Sequence, residues 1–111
     1  MSGRATAGRF VYWVRVRFSD PSVAEGWMGW LRGGHIADVI AAGALDAELV
    51  RVDTPAGTTL VEVRYHFAQR ADFERYEREH APRLRAEGVA RFPAGPTIAY
   101  ERGTGELLGA W

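Results

Sequence analysis

Large apolar residues recur at every second position from Phe10 to Phe18. Phe10, Tyr12, Val14, Val16 and Phe18 fall on one side and Val11, Trp13, Arg15 and Arg17 on the other, the period of a strand covered on one face. Ser19-Asp20-Pro21 then reads as a turn and helix start, because Ser or Asp can cap the first N–H groups and proline is tolerated in the first turn. From about Ser22, Val23, Trp27, Trp30, Leu31 and Gly34 share one helical face. Ile36, Val39 and Ile40 rotate to another, so the pattern predicts two helical pieces bent at Gly33-Gly34, near His35. The second ends at Gly43, a residue suited to a left-handed C-terminal position.

Leu45 to Val52 reads as a second strand, and Asp53-Thr54-Pro55-Ala56-Gly57 as the turn of a hairpin into a third. On that third strand Thr59, Val61, Val63, Tyr65 and Phe67 share one face, and Leu60, Glu62, Arg64 and His66 the other. A second helical run begins near Arg70, with Asp72 and Glu74 placing negative charge in its first turn. Phe73, Tyr76, His80 and Leu84 recur at helical spacing, which predicts an inward stripe that includes His80. Pro82 disfavours helix at Ala81 and predicts an end or kink just after His80, with helix resuming as far as Gly88. After Pro93-Ala94-Gly95-Pro96, Thr97 to Arg102 reads as a fourth strand.

The order strand, helix, strand, strand, helix, strand is a repeated βαβ unit. It predicts an α+β fold, the ferredoxin-like βαββαβ sandwich, with a four-stranded antiparallel sheet in the order 4-1-3-2 and its helices on one face. The expected organisation is a disordered terminus over 1–8, one domain over 9–102 and a tail over 103–111, whose Leu107, Leu108 and Trp111 would dock on a partner subunit. Counted from His35 and from His80, Leu31 pairs with Tyr76, Val39 with Leu84 and Gly43 with Gly88, so both histidines are expected at equivalent helix ends. The sheet face without helices would carry Trp13 among alternating charges, which points to a homodimer built on it.

The 111 residues make one domain able to bury a core without a staple. With no cysteine, disulfides, thiol nucleophiles and thiolate metal sites are excluded. Fourteen basic and fourteen acidic residues cancel. That removes the charge footprint of a nucleic-acid binder or a polybasic membrane surface and leaves a neutral, apolar small molecule, or another protein, as partner. The absence of a leader-like or membrane-spanning apolar run leads to a cytoplasmic expectation. Four tryptophans, four tyrosines and five phenylalanines exceed what a minimal core needs, so a pocket or an interface is expected.

Within such a pocket His80 is the first candidate acid or base and His35 the second, because imidazole titrates near neutrality. Tyr12, Trp27, Trp30, Tyr65 and Tyr76 are the candidate ligand-binding side chains. Each has a bland alternative, His80 as a helix-end hydrogen-bond donor and the aromatics as core filling. Arg83, Arg85 and Arg91 read as a solvated helix face, one of them within reach of a substrate carboxylate. The three histidines lack metal-ligand spacing, and no phosphate loop follows a strand, so no metal and no cofactor is expected.

Trp27, Trp30, His35-Ile36, Asp38-Val39 and Gly43, followed by Tyr76, Glu79-His80-Ala81-Pro82, Leu84-Arg85 and Arg91-Phe92, resemble a bacterial family of small proteins known only as a domain of unknown function. The likeness spans roughly Tyr12 to Tyr100. Gly33-Gly34, where a charged helix-favouring pair is usual, and Ala37, where proline often follows His-Ile, depart from it. That family looks like a branch of the dimeric α/β-barrel superfamily, with branches that include small monooxygenases, isomerase-like enzymes, dehalogenating dismutases and structural members. The resemblance implies the fold and a dimer. Three functions remain open: a small-molecule-binding or accessory protein, a cofactor-independent monooxygenase, isomerase or cyclase on a hydrophobic substrate, and a structural homodimer.

Overall fold

The computed structural model describes residues 9–111; the expected disordered terminus, 1–8, lies outside them. The chain runs β1 (Phe10–Phe18), α1 (Pro21–Trp30), a π-type turn (Leu31–His35), α2 (Ile36–Ala41), β2 (Asp46–Val52), β3 (Thr59–Phe67), α3 (Arg70–Glu79), α4 (Ala81–Arg91) and β4 (Ile98–Glu106). The four strands form one antiparallel sheet in the order β2-β3-β1-β4, the expected order read from the opposite edge. This is the ferredoxin-like α+β fold.

Strand alternation decides what lies under the helices. Phe10, Tyr12, Val14, Val16 and Phe18 of β1 are buried, as are Val61, Val63, Tyr65 and Phe67 of β3. They meet Trp27, Met28, Leu31, Val39, Phe73, Tyr76 and Leu84 from the helical layer. Each large apolar side chain removed from water there stabilises the fold by about 1.5–3 kcal/mol.

The helix boundaries follow local chemistry. Asp20 caps α1, accepting from the Ser22 N–H at 2.9 Å and the Ser22 hydroxyl at 2.8 Å, and Pro21 opens the helix. Gly34 leaves helical conformation (φ 164°, ψ −28°), and this re-aims the apolar face from Leu31 to Val39 at the expected bend. Past Gly43, at φ 134°, the chain turns into β2.

Two boundaries differ from expectation. The last helix does not stop at Gly88 but continues to Arg91, because Gly88 is a packing glycine: a Cβ there would come within 2.9 Å of the Trp30 ring. β4 runs on to Glu106 rather than ending at Arg102, and carries on in pairing as the Leu107 N–H donates to the Arg9 carbonyl at 2.8 Å. Gly103 and Gly105 look like tail composition, yet they sit opposite Trp13 and Val11 in the ladder.

Candidate functional site

The break between α3 and α4 falls on His80 itself, whose backbone is non-helical (φ −127°, ψ −36°). That rotation takes His80 off the stripe it was counted into. Phe73, Tyr76 and Leu84 are buried as expected, but the inward position at the break is taken by Ala81, and His80 is only half-buried. Its Nδ1 lies 3.4 Å from an Arg83 guanidinium nitrogen. A guanidinium only donates, so in this contact Nδ1 can act only as the acceptor. His80 does not line the cavity described next, which corrects its expected place as the pocket's inward histidine.

The cavity lies between the helical layer and β1, β3 and β4, and opens to solvent. It measures about 40 Å³, counted as space open to the centres of water molecules. One water needs roughly 10–15 Å³ by this measure, so the enclosed part holds about three waters or a group of similar size. All five aromatic side chains expected in a pocket line it: Tyr12 and Tyr65 from the sheet, Trp27 and Trp30 from α1, and Tyr76 from α3. His35 lines it too. Arg85, Tyr100 and Arg102 complete the polar part of the wall; Arg85 is one of the three arginines read from sequence as a helix face with one member near a substrate carboxylate, and Tyr100 and Arg102 were not singled out.

His35 is held by stacking. The Gly33-Gly34 bend turns its imidazole back onto Trp30, with ring centroids 4.1 Å apart and planes at 22°, while Trp30 rests against Gly88 of α4 and Phe92 beyond it. Burial pushes the His35 pKa below its ordinary value, against the smaller opposing pull of Asp38 and Glu87. His35 is therefore neutral near pH 7, with one nitrogen able to accept and the other to donate.

Tyr65 stacks beside Tyr12 at 5.9 Å. Burial raises its phenol pKa and that of Tyr76, so both remain protonated donors. Arg85 reaches in from α4: its guanidinium donates to the Tyr12 hydroxyl at 3.3 Å, pairs with Glu77, and lies 5.7 Å from the Tyr12 ring centre. Tyr100 is pinned by its hydroxyl donating to the Phe92 carbonyl at 2.5 Å.

One feature of hydrogen bonding singles this cavity out. Among the described residues the buried side-chain polar atoms without a protein partner are His35 Nδ1, the Tyr65 hydroxyl and Arg85 Nε. All three residues line the cavity. Native proteins leave few buried polar groups unpaired, and three around one space mark a place where water or a ligand completes the bonding.

The opposite sheet face carries no helix and has a different character. Cross-strand rows place Val50, Glu62, Arg15 and Glu101 side by side, and next to them Glu48, Arg64, Trp13 and Gly103. Glu62 is only 3% exposed although no helix covers it. Arg15 donates to it at 2.6 Å and Arg64 at 2.5 Å, and these bonds outweigh the upward push of burial and hold its carboxyl below the usual range. The Trp13 ring lies flat on Gly103, where a Cβ would stand 2.0 Å from it. His66, also on this face, contacts Asp46 at 2.5 Å. Among the described residues no three His, Asp or Glu side chains are placed to share a metal ion, and no helix is long and apolar enough to cross a membrane.

The family model for the domain of unknown function DUF4286 matches residues 9–99, and the chain belongs to that family. No curated protein matches it in sequence. Similar solved structures include a dimeric ferredoxin-like protein from an uncultured marine organism, 14% identical, covering 93% of this chain and 98% of that one, with a TM-score of 0.68. The monooxygenase ActVA-Orf6 of Streptomyces coelicolor, in complex with nanaomycin D, is 16% identical over 92% of this chain and 89% of that one, TM-score 0.67. SnoaB, a cofactor-independent oxygenase from Streptomyces nogalater, is 13% identical over 94% and 97%, TM-score 0.65. At these identities the likeness carries the fold.

Proposed function

We propose that the chain is a small-molecule-binding protein whose ligand is a flat, oxygen-bearing compound seated between Trp30 and the sheet. The observation behind this reading is the convergence of His35 Nδ1, the Tyr65 hydroxyl and Arg85 Nε, each buried and unpaired, on one aromatic-walled cavity. The 40 Å³ space takes the polar end of the ligand, and the body extends toward the opening along the aromatic wall. His80 has no part in this site.

Tyr65→Phe tests it, since the change keeps the ring and removes only the unpaired hydroxyl. A buried group without a partner costs about 1–3 kcal/mol, so Tyr65→Phe should be as stable as the parent or more so by up to that amount, while ligand affinity falls about tenfold. A destabilised variant with unchanged affinity would make the hydroxyl a structural group and sink the reading.

The enzyme reading is favoured by one observation: burial keeps His35 neutral and hence a competent proton acceptor at pH 7. The two Streptomyces oxygenases share the fold. If the chain turns over its ligand, His35→Gln should retain binding and lose turnover by roughly 10²–10⁴; equal turnover in the variant would leave a binding protein. We infer further that two copies pair through the uncovered sheet face, where Trp13 lies flat beside the Arg15–Glu62–Arg64 cluster and the tail projects with Leu108 and Trp111 exposed. The marine ferredoxin-like neighbour is described as dimeric.

A further inference from the structure

We propose that the ligand of this cavity is an anion, a flat aromatic or conjugated monocarboxylate whose carboxylate is held between Arg85 and Arg102. The inference rests on the binding reading above and names the ligand class. Acidic and basic residues are equal in number along the chain, yet the cavity wall is charged with one sign only: it contains Arg85 and Arg102 and no Asp or Glu.

The two guanidinium groups are also unequally satisfied. Arg85 is paired with Glu77 but keeps a buried Nε–H without an acceptor. Arg102 has no carboxylate within ion-pair distance among the described residues, and residues 1–8 contain no acidic side chain that could supply one. Its guanidinium is held over the Tyr100 ring, 5.4 Å from the centre, as Arg85 is held over Tyr12. A guanidinium resting on an aromatic face presents its in-plane N–H groups at the edge, the geometry that meets a carboxylate with two parallel bonds.

Size and donor inventory agree. An enclosed space for about three waters matches the three heavy atoms of a carboxylate. The Tyr65 hydroxyl, protonated and unpaired, adds a neutral donor at the same wall. Trp27, Trp30 and Tyr12 supply the flat apolar surfaces that a conjugated ring system requires.

The experiment compares 2-naphthoate with 2-naphthamide, the same shape without the charge, by quenching of tryptophan emission in the full chain. Naphthoate should bind about 10- to 100-fold more tightly, the range for a hydrogen bond to a charged group, and the preference should shrink as salt is raised. In Arg102→Gln, an exposed position on an edge strand whose loss the fold tolerates, the ratio of the two affinities should fall toward one. Equal affinities in the parent chain, or a ratio that survives in both Arg102→Gln and Arg85→Gln, would overturn the anion assignment and leave the binding reading standing. If neither compound quenches at millimolar concentration, both fall together.

Discussion

At the scale of single residues, the two histidines counted as equivalent behave differently because their backbones do. His35 follows a two-glycine bend that folds its ring back under Trp30, and it becomes a half-buried, neutral cavity residue. His80 is itself the bend, and the same geometry that ends α3 turns it out beside Arg83. A pH dependence follows for His35. Its folded pKa lies below the ordinary value near 6.5, so the unfolded chain binds the proton first as pH falls. Its contribution to stability is complete above pH 6.5 and declines as pH drops from there toward the folded value. Urea midpoints across pH 5 to 8 should show this decline in the parent chain and lose it in His35→Gln; parallel profiles for the two proteins would mean that His35 is not shielded as described.

At the scale of elements, the strands and both helical runs were legible because their periods hold: every second residue of β1, and of β3 from Val61, is buried and apolar, and Phe73, Tyr76 and Leu84 keep their spacing. The Gly33-Gly34 bend was legible from the shift of apolar face across it. What was not legible depends on contacts between distant residues. Gly43 and Gly88 occupy matching places in sequence, but Gly43 closes a helix at positive φ and Gly88 makes room for Trp30. Gly103 and Gly105 read as tail because nothing local says that Trp13, some ninety positions earlier, needs a flat bed on β4. Arg85 follows the buried Leu84 and looks like an ordinary solvated neighbour, and only the fold brings it to Tyr12.

At the scale of the whole molecule, the sheet divides two tasks. Its helix-covered face holds the cavity, and its bare face holds Trp13, a buried Glu62 and the charged rows around them. Pairing through the bare face predicts that the chain sediments as a dimer at micromolar concentration and that Trp13→Glu sediments as a folded monomer; a monomeric parent chain would remove the dimer. The central claim, that the cavity beneath Trp30 is the binding site, is tested most directly by the three histidines, since one lies in the cavity, one at the α3–α4 break and one on the bare sheet face. Imidazole nitrogen and proton resonances followed by NMR during titration with 2-naphthoate should move for His35 alone. Movement at His80 with His35 unchanged would place the ligand elsewhere and contradict the account.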